Sequence, residues 1–338
     1  MHFLICVVHV FRQDKEYTMK VAVIGCGNIV LKEHIPAMVS LGIKVHALCD
    51  ISSVNIDSAQ KILNYEVPAY NCYKALIEKV RPDTLVIALP HNMYHEVLEY
   101  CSDYPLKIIK EKPFALTLTQ AKIFSDYSRG KNFKIFTVCQ KRYTPAYELL
   151  KNEIHESGEK ISQLTIRYTI PSKNPNANWR SQFSTSGGGV WLDMGYHVVD
   201  IVNYLFDGKD VAINHARLIN SSGDNYNVDD IAFVELECDG VIIFAYISCV
   251  EIEKHEDITA YGKNKIFHCD KKCVTIKNKN QVVVKSLEVD HTSPFVRMYQ
   301  DFLFNSGEAG FERNLSSSMS LMRILEKAFK NSNFNVAA

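Results

Sequence analysis

VAVIGCGNIV, Val21 to Val30, decides how the first half of the chain folds. Its apolar residues run without a break into Gly25 and Gly27, and a helical pattern follows to about Ser40. A short run that is apolar at every position reads as a strand buried on both faces. Gly25 permits a tight turn at the end of that strand. Gly27 lets the backbone approach a pyrophosphate at the helix N-terminus, where unpaired N–H groups and the helix dipole favour anions. Asn28 and Ile29, at the start of the helix, are expected to share that contact. Alone the glycine pair is a weak signal, because an ordinary tight turn has the same composition. The third small position of the fingerprint holds Val30, which predicts looser helix–strand packing without loss of the phosphate site.

The following segments strengthen the signal. KVHALCD (Lys44–Asp50), TLVIALP (Thr84–Pro90), LKIIKEKP (Leu106–Pro113) and FKIFTVCQ (Phe133–Gln140) read as strands. Ser53–Tyr65, His95–Tyr100 and Leu118–Tyr127 read as helices. Strands alternating with helices imply a parallel sheet covered on both faces. Asp50 ends the second strand, roughly twenty residues beyond the glycines, where a carboxylate can accept from both ribose hydroxyls. Its ordinary role would be a turn or cap. Residues 51–55 contain no Arg or Lys to neutralise a 2′-phosphate, so NAD is expected as cofactor rather than NADP.

After Gln140 the texture changes. A helix is expected over Pro145–His155, then an alternating strand, ISQLTIRYTI, then a Ser-, Asn- and Gly-rich loop from Pro171 to Gly189. Beyond a further helix come VAINHARLI, DIAFVELEC, VIIFAYISC, DITAYG, KIFHC, CVTIK and QVVVKSLEV, separated by short polar turns. Successive strands of this kind argue for a largely antiparallel sheet. Helices are expected over Pro294–Phe304 and Leu315–Asn331.

The fold class is therefore α/β: an N-terminal Rossmann domain with a doubly wound parallel sheet, then a C-terminal α+β domain on a large, mostly antiparallel open sheet. Residues 19–140 form the dinucleotide-binding domain. Residues 141–338 form the substrate-binding and oligomerisation domain, whose last helices can pack back on the first. Residues 1–18 stand apart as an extension or tail. Their run FLICVVHVF is too short to span a bilayer, and it lacks a basic leader and a small-residue cleavage site. The segment either precedes the true start or adds a strand.

With 338 residues there is enough chain for two cores. Hydrophobic residues make up 47% and charged residues 22%, a soluble globular profile. The 38 basic residues equal the 38 acidic ones, which argues against a nucleic-acid footprint or a membrane patch. The 10 cysteines are scattered, with no CxxC and no histidines at zinc spacing, so no metal is expected. Reduced thiols in a cytoplasmic protein are the simplest reading.

The chemistry is expected in EKP (Glu111–Pro113) and in GGGVWLDMGYHVVD (Gly187–Asp200). The second run reads as a glycine turn opening one helix, with Asp193, His197 and Asp200 at i, i+4 and i+7 on one face. A carboxylate, an imidazole and the distant Lys112 suit proton transfer coupled to another bond change. Each has an ordinary explanation taken singly: a structural histidine, a helix cap, a solvated strand end. Trp191 and Met194 read as core, and Asp200 as structural. Arg142 reads equally well as a surface ion pair.

Taken together, GCGNIV, Asp50, ALPHNMYH (Ala88–His95), EKPFAL (Glu111–Leu116), QKRYTP (Gln140–Pro145), NWR (Asn178–Arg180) and GGGVWLDMGYHVVD resemble the glucose–fructose oxidoreductase / inositol dehydrogenase / MocA family. The resemblance runs from Met19 to the C-terminal helices. Its motifs are specific to the family and poor guides to substrate. It implies that Glu111 and Lys112 lie beside the nicotinamide, with Lys112 also at the reacting hydroxyl. Asp193 and His197 complete the catalytic set and touch substrate. Leu89, Pro90, His91 and Asn92 line the cofactor pocket, and Arg142, Tyr143, Trp179 and Arg180 face the substrate. The family's open sheet often forms an oligomer interface, so a homodimer or homotetramer is expected. There are two departures. The family usually has a histidine four residues after the strand-ending proline, whereas His95 lies five after Pro90 and is left out of the cofactor set. Gln140 stands where asparagine is common.

The expected function is NAD-dependent hydride transfer at a secondary hydroxyl of a sugar, nucleotide sugar, inositol or related polyol. His197 would be the general base, since its ordinary pKa lies near neutrality. Asp193 would orient it or hold a substrate hydroxyl. Lys112 would polarise the oxygen and stabilise alkoxide charge. The sequence leaves lysine and histidine free to exchange roles. One rival is a non-catalytic dinucleotide-binding sensor, which predicts a degraded catalytic set. Another is a reductase of an imine or a linear tetrapyrrole.

Overall fold

A computed structural model of the chain describes residues 19–129, 132–172, 179–223, 226–332 and 334. The extension 1–18, with Cys6, and Asn178 of the NWR motif lie outside the described residues.

The first sheet has six parallel strands in the order β3-β2-β1-β4-β5-β6. They are β1 (Val21–Ile24), β2 (Val45–Cys49), β3 (Ala69–Tyr70), β4 (Thr84–Ile87), β5 (Lys107–Lys110) and β6 (Lys134–Thr137). Every residue of β1 and β4 is buried, as their unbroken apolar runs require of strands covered on both faces. The covering helices are α1 (Ile35–Ser40), α2 (Ser53–Leu63), α3 (Tyr73–Val80), α4 (Tyr94–Cys101) and α5 (Leu118–Ser128). The chain winds outward from β1 to β3 and returns to β4 on β1's other side. That reversal opens a crevice beyond the carboxyl ends of β1 and β4, where doubly wound sheets bind ligands.

Two local features differ from the sequence expectation. The stretch after Gly27 is not one α-helix: Val30–His34 forms a π-turn before α1 begins. Val30 is fully buried there, so a larger side chain at the third small position sits against a widened first turn. Strand β3 and helix α3 escaped the apolar pattern, because β3 has two residues and α3 buries only Leu76 and Ile77.

The second sheet has eight strands in the order β14-β13-β12-β11-β7-β10-β9-β8. Its strands are β7 (Ile161–Thr169), β8 (Val211–Ile219), β9 (Ile231–Cys238), β10 (Val241–Ser248), β11 (His255–Gly262), β12 (Lys265–Cys269), β13 (Cys273–Asn278) and β14 (Val283–Glu288). All pairings are antiparallel except β7 with β10. Along β7, Leu164, Ile166 and Tyr168 are buried while Gln163 and Thr165 are half-buried and Arg167 is exposed, the alternation of a sheet with one open face.

Helices α6 (Pro145–Ser157), α8 (Val190–Asp193), α9 (Gly195–Leu205) and α11 (Gly307–Asn331) pack on the inner face, and the short α7 (Phe183–Ser186) packs on the 3-10 turn His91–Met93. Trp191 is fully buried and its Nε1 donates to Leu325 O at 3.1 Å, which ties α8 to α11. Helix α11 also packs on α5 and β6, and α10 (Pro294–Gln300) packs on α1. Among the described residues no helix is long and apolar enough to cross a membrane.

Candidate active site

One cleft of about 890 Å³ runs from the glycine turn to His197. Its first end is shaped by the close approach of β1 and β4. Gly25 has φ +84°, and a Cβ there would lie 2.2 Å from Ala88 O, so the turn demands glycine. A Cβ on Gly27 would meet nothing within 4 Å, because the space above it belongs to the cleft. Asn28 and Ile29 are exposed along the same wall. Asp50 closes this end. Its Oδ2 accepts from Cys26 N at 2.6 Å and Asn55 Nδ2 at 3.3 Å, and its Oδ1 accepts from Ser52 N at 2.8 Å. A carboxylate has about four acceptor positions, so room remains for roughly one ribose hydroxyl rather than two. Open N–H groups over a glycine, with a carboxylate alongside, suit a dinucleotide's pyrophosphate and ribose.

The middle of the cleft comes from the loops after β4 and β5. Leu89, Pro90 and His91 line it. Asn92, expected with them, does not: the 3-10 turn His91–Met93 leaves it exposed outside the lining. His91 Nδ1 lies 2.8 Å from Ser186 O, and since a carbonyl only accepts, Nδ1 carries the proton. Burial pushes His91 down to about 4 against the opposing pull of Asp193, so the ring is neutral. Trp179 meets it edge-on, with centroids 4.5 Å apart. Glu111 lines the cleft, but its carboxylate turns to His34 Nε2 at 2.9 Å. His34 Nδ1 in turn lies 2.7 Å from Tyr299 OH. The expected cofactor contact of Glu111 thus becomes a tie between β5, the π-turn and α10.

The last end brings Lys112, Arg180, Asp193 and His197 together. Lys112 Nζ donates to Asp193 O at 2.9 Å and pairs with Asp193 Oδ1. Arg180 Nε lies 3.4 Å from Asp193 Oδ2. Burial alone would raise the Asp193 carboxyl, but Lys112, then Arg180 and His91, hold it well below the usual carboxylate range. His197 is 4% exposed. Burial pushes its imidazole well below the ordinary value, and Lys112 and Lys141 push the same way. It is therefore neutral near pH 7. Its Nδ1 has no hydrogen-bond partner among the described residues.

Asp193 and His197 do not share one helix, as their spacing had suggested. Helix α8 ends at Asp193, Met194 breaks the run with φ −95°, and α9 starts at Gly195. Both side chains still line the cleft. The start of α8 is fixed by Asp229, which accepts from Gly189 N at 2.8 Å and Trp191 N at 2.7 Å. A Cβ on Gly189 would lie 1.7 Å from Asp229 O, so this contact also requires glycine.

Asp200 leaves the catalytic face. It is fully buried and receives Arg142 Nε at 3.2 Å and Arg142 Nη2. Breaking a buried pair of this kind costs about 3–5 kcal/mol, so Arg142 is committed to the fold. Arg142 and Tyr143 line a separate cavity of about 480 Å³, where Tyr143 OH donates to Asp301 Oδ2 at 2.8 Å. Neither lines the cleft, which corrects their expected place at the substrate. Trp179 and Arg180 do line it. So do Asn55, Gln140, Tyr168 and Ile170, which the sequence reading did not assign. Only Gln140 carried a signal, as a departure inside a recognised motif.

The comparisons agree with this architecture. The family model described as "Oxidoreductase family, NAD-binding Rossmann fold" matches residues 19–138, and the GFO/IDH/MocA C-terminal domain matches residues 154–268. The chain belongs to the glucose–fructose oxidoreductase / inositol dehydrogenase / MocA family, and its first domain is that family's NAD(P)-binding Rossmann domain. Levoglucosan dehydrogenase of Pseudarthrobacter phenanthrenivorans is 30% identical over 42% of this chain and 37% of its own length. The scyllo-inositol 2-dehydrogenase (NAD(+)) of Bacillus subtilis is 24% identical over 66% of this chain and 65% of its own. Each match thus spans less than two thirds of the curated relative. A 3-ketoreductase from Actinomadura kijaniata, solved with NADP and TDP-benzene, superposes with a TM-score of 0.81 at 17% identity, covering 93% of this chain and 97% of that one. A levoglucosan dehydrogenase complex with NADH and levoglucosan gives 0.78 at 18% identity, covering 93% and 98%. At such identities the likeness is one of fold.

His91 links the site to stability. It is neutral when folded but takes up a proton below about pH 6.5 when unfolded, so its contribution is complete above that pH. The contribution is lost as pH falls towards about 4. Melting temperature is expected to drop across that window, with a shallower drop in His91→Gln. Thermal melts at stepped pH check this; equal slopes for the two proteins would refute it.

Proposed function

We propose that the protein is an NAD-dependent dehydrogenase that transfers hydride between nicotinamide and a secondary hydroxyl of a sugar, nucleotide sugar, inositol or similar polyol. The observation that carries this is the meeting of Lys112, Asp193 and His197 in the cleft that begins at Gly27 and Asp50. A bound nicotinamide supplies the hydride acceptor. The side chains must manage the hydroxyl proton and the charge on oxygen. His197, neutral at pH 7, is the proton acceptor. The Lys112 ammonium, held by Asp193, stabilises negative charge on the substrate oxygen. Asp193 thus orients the lysine directly, and sits between two cations that would otherwise repel. His91 and Trp179 pack edge-on along one wall of the site.

Two features favour NAD over NADP. Asp50 would repel a 2′-phosphate, and the residues after it, Ile51, Ser52 and Asn55, carry no positive charge. Lys32 and Glu33 add one charge of each sign to the lining, with no net gain for an anion. The two relatives above support the polyol class by the substrates in their names. The test is a panel of polyols and nucleotide sugars followed by NADH absorbance. NAD is expected to give the higher kcat/KM. His197→Ala and Lys112→Ala are each expected to lose about a hundredfold or more in turnover while still binding NADH. Near-normal turnover in both variants would defeat the assignment.

We also infer that the chain assembles as a homodimer or homotetramer through the open face of the eight-stranded sheet. Phe233 and Phe244 point outward there, 48% and 45% exposed, and Phe233 stacks on Tyr246 with centroids 4.9 Å apart. Exposed aromatic patches of this kind mark contact surfaces. Sedimentation is expected to show an oligomer that Phe244→Glu dissociates; a wild-type monomer would contradict this.

A further inference from the structure

Lys110 is the least expected side chain near the cleft. It ends β5 and is fully buried, and among the described residues it forms no ion pair. An ammonium buried without a carboxylate partner is costly and persists only where other contacts compensate. Here three do. Nζ donates to Glu111 O at 2.7 Å and to Pro113 O at 2.5 Å, the carbonyls on either side of Lys112. It also sits 3.9 Å from the centroid of the Tyr94 ring. Tyr94 is buried, and its OH accepts from Leu89 N and donates to Ile87 O, each at 3.4 Å. Tyr94 occupies the position four residues after Pro90, where the family resemblance would place a histidine.

Lys110 therefore touches both loops of the cleft's middle: directly the one that carries Lys112, and through Tyr94 the one that carries Leu89, Pro90 and His91. We propose that Lys110 is a positioning residue, an internal staple that holds these two loops in register around the nicotinamide end of the cofactor. The proposal rests on the dinucleotide reading of the cleft, but needs no particular substrate. Because Lys110 and Tyr94 bond the loops that carry Lys112 and His91, and make no bond to Gly27 or Asp50, the staple makes a differential claim. Loss of Lys110 should harm recognition of the nicotinamide half and spare the adenosine half.

Charge matters to the staple. The groups facing Lys110 are Glu111 at its own strand end, Tyr94 from α4 and Cys139 after β6, with His34 reaching Glu111 from the π-turn. Burial pushes Lys110 down to about 7, while Glu111 and Cys139 pull it upward. The charged form, which makes the stronger bonds to carbonyl and ring, is complete below that pH and is lost as pH rises through it.

The experiment compares NADH with ADP-ribose, which shares the adenosine and pyrophosphate but lacks nicotinamide, in binding titrations of wild type and Lys110→Met. The Met variant is expected to bind NADH about tenfold more weakly, the scale of one lost charge-assisted hydrogen bond, and ADP-ribose unchanged. Wild-type NADH affinity is expected to weaken as pH rises through about 7, and the Met variant to lack that inflection. Unchanged NADH binding, or parallel loss of both ligands, overturns the staple. If Lys110→Met does not fold, Tyr94→Phe removes the link to Leu89 while keeping the ring. It should weaken NADH selectively, and equal affinities to wild type would overturn the proposal. Wild-type protein that binds neither ligand would instead defeat the cofactor reading, and the staple with it.

Discussion

The ion pair between Lys112 and Asp193 joins two parts of the chain that fold on different sheets. Lys112 is delivered by the end of β5, and Asp193 by a four-residue helix lying on the second sheet. Neither element could place its side chain alone. Asp193 is where it is because Asp229 caps the start of α8 and glycine at 189 allows that contact. Lys112 is where it is because its loop is gripped on both sides by Lys110. Disturbing either anchor would move one charge away from the other and leave a partly buried ion without its partner, which is costlier than losing a surface pair.

The surroundings of the pair set its chemistry. Burial and nearby lysines keep His197 neutral, while the cations around Asp193 keep it ionised. Both groups are thus held deprotonated near neutral pH, His197 as a neutral acceptor and Asp193 as the anion that pairs with Lys112 and Arg180. The same burial leaves His197 Nδ1 without a partner among the described residues, as it does His46 Nδ1 and His95 Nδ1.

Much of this was legible in the residues. The glycine turn, Asp50, Lys112, Asp193 and His197 each have an ordinary explanation taken singly; they were legible because they stand together in one order that resembles the family. The misplacements have physical causes. Periodicity alone put Asp193, His197 and Asp200 on one face; the turn at Met194 leaves Asp193 and His197 on the same cleft, while Asp200, on α9 with His197, is buried against Arg142 instead. Arg142 read equally well as an ion pair or a substrate contact until its buried partner Asp200 was in view, since ion pairs between distant segments leave no local trace. Glu111 turns to His34, 77 residues earlier in the chain, for the same reason. Lys110 hid inside the run KIIKEKP, where one lysine reads as solvated until burial shows otherwise. Register along a strand or helix is written locally; partnership across the fold is not.

The central claim is spatial: an ammonium from the first half and an imidazole from the second act on the same side of one ring. A crystal structure of the NAD complex tests it most directly. Lys112 Nζ and His197 should both face the nicotinamide carbon that receives hydride, with space between them for a hydroxyl. A nicotinamide lying outside the cleft, or with the two groups on opposite faces of its ring, would contradict it.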